Sequence, residues 1–415
     1  MTAATQNRLL SINNYFYARG GAEVLFLEQN RLFEAVGWDV VPFAMKHPNN
    51  LPTAYDEYFP DEIEFGNDYG LGRKILSAQR VIYSRQSRAK LGRLIDAKPP
   101  TVAHAHNLYH HLSPSVLSLL SERGIPTVLT VHDLKLGCPA YTMMRDGRPC
   151  DSCKGGRLYN VAVHRCIKGS LPLSGLIMVE SYVHRWLGLY ADTVTRFAVP
   201  SRFVLETLVE WGWPRDRFVH VPNFVDEKRF SPDDPIGSRF VYCGRLDNLK
   251  GVESLVRAAA LARQPLTLAG RGPDEARLRA VADAVGADVR FLGHVDKADL
   301  PAVLQGARAV VAPSECNENA PLAVLEAYAA GRPVIGAAIA GIPELVRQDE
   351  TGALFPSGDV EALAEALGRF AALPDARLAA MGAAGRAWVE RDFTAATYRG
   401  RLLDLYRTLT GGRLQ

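Results

Sequence analysis

Apolar and polar positions follow two rhythms along the 415-residue chain. Short apolar runs read as buried strands. Between them, apolar positions recur every three or four residues, as on one face of a helix. Arg8–Ile12 is the first predicted strand; "NNYFYARGG" is the loop after it, a helix runs from Ala22 to about Val36, and Asp39–Ala44 is the next strand. This is a β-α-β unit with paired glycines at the helix entrance. "TVAHAH", "TVLTVHD" and "TRFAVPS" read as further strands, the last leading into an amphipathic helix through Leu208. Beyond residue 238 the runs "RFVYCG", "LTLAG", "VRFLG", "AVVAPS", "PVIGA" and "GALFP" alternate with helices. That spacing predicts parallel sheets with helices on both faces. The rhythm changes at "HVPNFVDEKRFSPDDPIGSRF", whose Pro, Asp and Gly residues predict an interdomain linker. A last helix is expected around Thr397–Leu409. Two consecutive α/β domains leave a cleft between their strand ends, where ligands of such sheets bind.

Composition narrows the class. Apolar residues make up 47% and charged residues 22%, an ordinary globular balance with ample core material. A net charge of +3 is too small to point to nucleic acid. The first twenty residues lack the apolar centre of a signal peptide, and no apolar run approaches the ~18 residues of a membrane span. The expectation is a cytoplasmic protein, free or peripherally attached. Six cysteines without an export signal argue against a disulfide framework.

The stretch "SECNENAPLAVLEAYAAGRPVIGA" (314–337) carries the most chemistry. Glu318 precedes an Asn-Ala-Pro turn; Pro321 fits the first position of a helix, which Gly331 should end. The helix is apolar nearly all round, so it is buried. Its first N–H groups lack internal partners and suit a phosphate or a polar sugar. Glu326 lies five residues after Pro321, hence about 7.5 Å along the axis. A carboxylate there needs partners, and the vicinal hydroxyls of a ribose supply two donors. The bland alternative is a capping Glu318 and a Glu326 paired with a buried arginine. "YCGRLDNLKGVESLVRA" adds Arg245 and Lys250 at a strand's carboxyl end, able to converge on one diphosphate. "AGRGP" adds Gly270 and Gly272 in a second glycine loop after a strand.

Together, "RGGAE", "TVHD", "VPNFVD", "GRLDNLKG", "AGRGP" and "ENAPLAVLEAYAAGRPVIGAAIAGIPELV" resemble the retaining glycosyltransferases of family four. The resemblance implies the GT-B architecture, two Rossmann-like domains facing across a cleft. It implies an acceptor-side domain over 1–225, a nucleotide-sugar domain over 226–393, and a final helix, 394–415, returning to the first domain. Arg245 and Lys250 would neutralise the donor diphosphate, Glu326 would hold the ribose, and Glu318 with the backbone of Asn319, Ala320, Pro321 and Leu322 would contact the donor sugar. Gly20 and Gly21 would let a loop approach the phosphates, and His132 would face the donor sugar. Ala340 stands where many relatives carry glycine, which should only tighten that turn. Fixed cations and helix-end N–H groups fit a leaving nucleoside diphosphate, so no catalytic metal is expected. Asp233-Asp234 lies in the linker and makes no convincing metal site.

The remaining signals concern the acceptor side. His104, His106, His110 and His111 cluster in "AHAHNLYHH"; metal binding is one reading, a polar loop lining the cleft the other, with His106 as an acceptor contact. Cys138, Cys150, Cys153 and Cys166 lie among Gly, Lys, Arg and Asp; one close pair plus two outer thiols can close a structural zinc site. Redox pairing and free thiols are the alternatives, and Cys243 and Cys316 read as isolated thiols. Residues 73–98 hold eight basic residues and one acidic, and 170–190 is strongly apolar. Such segments lie on anionic membranes or pack as ordinary surface helices. With the family, they suggest a lipid-linked saccharide acceptor and bacterial surface-polysaccharide assembly. A nucleotide-sugar epimerase of the same shape and a non-enzymatic binding protein are the competing readings.

Overall fold

The computed structural model describes residues 7–62, 79–232, 235–412 and 414. Asp233-Asp234 and the first part of the basic stretch, 73–78, lie outside the described residues. In chain order the first half contains β1 (Arg8–Ile12), α1 (Gly21–Glu34), β2 (Asp39–Phe43), α2 (Arg85–Ala97), β3 (Val102–Ala105), α3 (Ser115–Glu122), β4 (Thr127–Thr130) and a small hairpin, β5 (Met144–Arg145) with β6 (Arg148–Pro149). It continues with α4 (Asn160–Val163), α5 (Leu171–Trp186), β7 (Arg196–Val199), α6 (Arg202–Glu210) and β8 (Phe218–His220). The second half contains β9 (Arg239–Cys243), α7 (Val252–Leu261), β10 (Leu266–Ala269), α8 (Glu275–Val285), β11 (Val289–Gly293), α9 (Leu300–Gln305) and β12 (Ala307–Ala312). After these come α10 (Leu322–Ala329), β13 (Val334–Ala337), β14 (Gly352–Phe355), α11 (Val360–Ala372), α12 (Asp375–Asp392) and α13 (Ala395–Leu409).

The strands form two six-stranded parallel sheets, ordered β2-β1-β3-β4-β7-β8 and β11-β10-β9-β12-β13-β14. β3, β4, β10 and β13 are buried at every position. That is why their sequences read as unbroken apolar runs rather than alternating ones: helices cover both faces. In each sheet the connections change direction once, between β1 and β3 and between β9 and β12. Each reversal opens a crevice at the carboxyl ends of the flanking strands.

One apolar core surrounds the second sheet, with Phe240, Leu268, Val310 and Ile335 near its centre. Two cores flank the first. One of them is completed from the far end of the chain: Tyr398, Leu402, Leu405 and Tyr406 of α13 pack with Leu9, Phe33 and Trp38. The Tyr398 hydroxyl donates to Gln29 at 2.7 Å. The last helix is thus built into the first sheet's core. Pro321, expected as the first helical residue, is instead the extended N-cap of α10 (ψ 124°).

Candidate active site

The loops after β9 and β12 bracket the reversal point of the second sheet and carry Arg245, Lys250 and Glu318. The Lys250 ammonium donates to Glu318 Oε1, and Ser314 Oγ approaches the same oxygen at 2.8 Å. Burial works against the charge of Lys250, but Glu318, with Cys316 and Asp247, outweighs burial and holds its pKa above the ordinary lysine value. Arg245 is 69% exposed and pairs with Asp247. The two predicted phosphate cations therefore sit in one loop, each on a carboxylate.

Glu326 lies on α10, and its carboxylate accepts no hydrogen bond among the described residues. Burial pushes its pKa up, with Lys297 and Arg229 pulling the other way. Among the described residues no arginine is hydrogen-bonded to this carboxylate, although the Arg229 charge acts on it. Arg332, 1% exposed, donates instead to the carbonyls of Leu304, Gln305 and Pro235. A half-buried carboxylate with spare lone pairs is what a diol would satisfy.

Gly270 and Gly272 allow one loop to pack on another. Gly270 has φ +150°, and a Cβ on it would lie 1.8 Å from Gly244 O; a Cβ on Gly272 would lie 2.0 Å from Leu246 O. They let the β10 loop press its backbone on the loop that carries Arg245. Gly341 does the same for Glu318: a Cβ there would meet Asn319 O at 1.6 Å, and Gly341 N–H donates to Glu318 O.

The first domain closes the site from the other side. A Cβ on Gly21, at the start of α1, would lie 3.9 Å from Leu322 at the start of α10. Two helix N-termini thus meet across the cleft, and the N–H groups of their first turns have no acceptors within the helices. Asn319 Nδ2 donates to Val131 O at 2.8 Å, and Ser201 Oγ lies 2.7 Å from its Oδ1. Asn223 Nδ2 donates to Ala320 O at 2.8 Å, so that carbonyl is already occupied. Asn317 Nδ2 donates to the carbonyls of Thr142 and Met143. Glu344 caps α6 across the cleft, accepting from the N–H groups of Arg202 (2.8 Å) and Phe203 (2.6 Å). Asn317, Asn319 and Glu344 had no assigned part in holding the domains together; only the docked arrangement reveals it.

His132 follows Val131 and is half-buried at this junction. Its Nε2 lies 2.9 Å from His106 Nδ1. His106 is fully buried, stacked between His132 (5.1 Å) and His104 (4.7 Å). The expected acceptor contact at His106 is therefore corrected: the side chain reaches the cleft only through His132. Its Nε2 is buried without a partner. A buried orphan N–H is rarer than an orphan lone pair, which puts the His106 hydrogen on Nδ1, donated to His132. His132 then carries its own hydrogen on Nδ1 and can offer it outward. Burial lowers the His132 pKa to about 4, so the ring is neutral at pH 7. His110 and His111 belong elsewhere, against Glu180 (2.9 Å) and Tyr15 (3.4 Å).

Cys138, Cys150, Cys153 and Cys166 are free thiols lining one cavity of about 10 Å³. Among the described residues, no group of three or more His, Cys, Asp or Glu side chains is arranged to hold a metal ion. Beside the cysteine-bearing segment lies a buried network absent from the sequence reading. Lys135 Nζ meets Glu180 at 3.0 Å and Pro139 O at 3.1 Å, with His110 on the other carboxylate oxygen. Burial pushes the Glu180 pKa up, but Lys135 and His110 outweigh it and hold it at about 2. A lone glutamate inside an apolar run was the available signal.

Two family models match the chain. Residues 19–229 match the model described as Glycosyltransferase Family 4, and residues 237–372 match Glycosyl transferases group 1. The chain belongs to glycosyltransferase family 4. Among relatives of this family-4 chain, it is similar to a GDP-mannose-dependent monoacylated alpha-(1-6)-phosphatidylinositol monomannoside mannosyltransferase of Corynebacterium glutamicum. The two are 31% identical over 54% of this chain and 64% of the relative. It is also similar to a D-inositol 3-phosphate glycosyltransferase of Actinosynnema mirum, 34% identical over 45% of this chain and 52% of the relative. The matches thus span about half to two thirds of those relatives' lengths. In fold the chain resembles the sucrose-phosphate synthase of Thermosynechococcus elongatus, with a TM-score of 0.72 over 98% of this chain and 100% of the other at 23% identity.

Proposed function

We propose that the chain moves a sugar from a nucleotide-sugar donor to a lipid-linked saccharide acceptor, with retention of anomeric configuration, in cell-surface saccharide assembly. The observation that carries this reading is the arrangement at the second sheet's reversal point. Two cations sit in one loop, the start of α10 lies beside them, and an unsatisfied carboxylate, Glu326, lies further along that helix. This matches the order diphosphate then ribose. The Corynebacterium glutamicum relative, described as GDP-mannose-dependent and acting on a phosphatidylinositol mannoside, supports the donor and acceptor classes. Among the described residues no helix is long and apolar enough to cross a membrane. The reading takes the enzyme to work at the inner face of the membrane, where a lipid-linked acceptor would be met.

In this mechanism Lys250 turns from Glu318 to the diphosphate, where Arg245 joins it, and Glu318 takes donor-sugar hydroxyls. Glu326 accepts from the ribose. The acceptor hydroxyl oxygen bonds to the anomeric carbon on the face from which the diphosphate departs. Its proton passes to the departing phosphate oxygen. The cations and the α10 N–H groups stabilise the charge that builds on that oxygen. Neutral His132 offers its Nδ1–H to the donor sugar. Cys138, Cys150, Cys153 and Cys166 share one cavity but are not arranged as a ligand set; a structural zinc there is proposed only with the thiols turned inward, and it would take no part in transfer. The test is nuclear magnetic resonance of the glycosylated lipid. An anomeric configuration equal to the donor's supports the reading; an inverted one overturns the front-face step.

A further inference from the structure

Helix α5 is apolar on the wrong side. The residues it buries are Ser174, Ile177, Glu180 and His184, three of them polar. The residues it turns outward include Val179, Tyr182 and Trp186, spaced three and four apart and so on one stripe. Trp186 is 84% exposed, and Leu171 and Leu187 extend the stripe at both ends. Val163 of α4, 65% exposed, lies on the neighbouring helix. Of the thirteen large hydrophobic side chains exposed among the described residues, nine fall within residues 141–187. A surface helix normally faces its apolar stripe to the core; this one presents it to whatever lies outside.

Charge selects the occupant. Within 141–187, Arg145, Arg148, Arg157, Arg165, Lys168 and Arg185 are exposed, against only Asp146 and Asp151 among the acids, since Glu180 is buried. The whole chain carries only +3. Apolar and aromatic side chains ringed by cations match the layering of an anionic bilayer surface, with Trp and Tyr at the headgroup boundary and Lys and Arg on the phosphates. We propose that α4, α5 and Leu187 form the face by which the protein docks on an anionic lipid bilayer. The Cys-bearing insertion between β4 and α5 also touches the donor loop, through Asn317 and the carbonyls of Thr142 and Met143. Docking here sets the cleft beside the headgroups, where a lipid-linked acceptor waits; that purpose, though not the docking itself, rests on the proposed transfer reaction.

The test is co-sedimentation of the full chain with vesicles of phosphatidylcholine alone or of equimolar phosphatidylcholine and phosphatidylglycerol. Binding to the anionic vesicles should exceed binding to the neutral ones by about tenfold and fall with salt. The exposed pair Trp186→Ser with Leu187→Ser, and separately Arg165→Glu with Lys168→Glu, should each weaken binding at least about fivefold with unchanged circular dichroism. No anionic-vesicle binding, or undiminished binding by both double variants, overturns the proposal. So does a dimer in solution that Trp186→Ser dissolves, which would give the face to a second copy. Nucleoside diphosphate release to a water-soluble acceptor is read in parallel: its absence with vesicle binding intact counts against the transfer reading alone.

Discussion

Ala340 sits at φ +51°, in the left-handed region that costs a side chain about 1 kcal/mol. The turn is strained rather than merely tightened, and Gly341 beside it packs against Asn319 O. Ala340→Gly should raise unfolding stability by about 0.5–1 kcal/mol, read by urea denaturation; a decrease would contradict the strain. At Glu326 the carboxylate accepts no hydrogen bond from the described residues; on the proposed reading, Glu326→Ala should cost the charged hydrogen bonds to ribose, about 1.5–3 kcal/mol, and weaken nucleotide binding more than tenfold. Calorimetry with an unchanged affinity would remove the ribose from this residue. Lys250→Ala should lower turnover more than donor affinity, because the diphosphate gains charge only as it leaves. Equal losses would reduce Lys250 to an anchor.

At the scale of elements, the decisive contact is loop on loop. Gly272→Ala drives a Cβ against Leu246 O and shifts the turn that carries Arg245, so both melting temperature and nucleotide affinity should fall. Gly286→Ala, at φ +66° with nothing within 4 Å of its Cβ, should cost only the local strain of about 1 kcal/mol and leave affinity intact. Equal effects of the two would deny the loop packing a role. If the four thiols at Cys138, Cys150, Cys153 and Cys166 turn inward on a metal, elemental analysis should find about one zinc per chain. Four alkylatable thiols without metal would leave ordinary free cysteines. The strands were legible because burial on both faces writes an unbroken apolar run. β8, three residues at a sheet edge, writes none. Helix α5 was legible as apolar but not as inverted, since a pattern shows which residues share a stripe and not which stripe faces inward. Lys250 and Glu318 were legible as charged residues of loops at strand ends. Their mutual pairing, and the reach of Asn319 and Glu344 across the cleft, depend on how the domains dock.

The whole molecule carries several histidines folded in a neutral state. Burial lowers the pKa to about 3 at His104 and about 4 at His111 and His132. Each takes up a proton near pH 6.5 when unfolded but not when folded, so the unfolded state gains as pH falls below 6.5. Stability should therefore be flat above pH 7 and drop on acidification by about 1.4 kcal/mol per pH unit for each such histidine until its folded pKa is reached. Urea midpoints at pH 7.5 and 5 read this; equal midpoints would contradict the buried neutral ladder. On the proposed function the two domains close on a nucleotide-sugar and deliver its sugar to an acceptor. The most direct measurement of that function is nucleoside diphosphate release by the purified chain, one nucleotide-sugar at a time, with and without membrane lipid extract. Release from one donor, strongly stimulated by the extract, is the predicted result; no release from any donor, or an altered free nucleotide-sugar accumulating without acceptor, would contradict it.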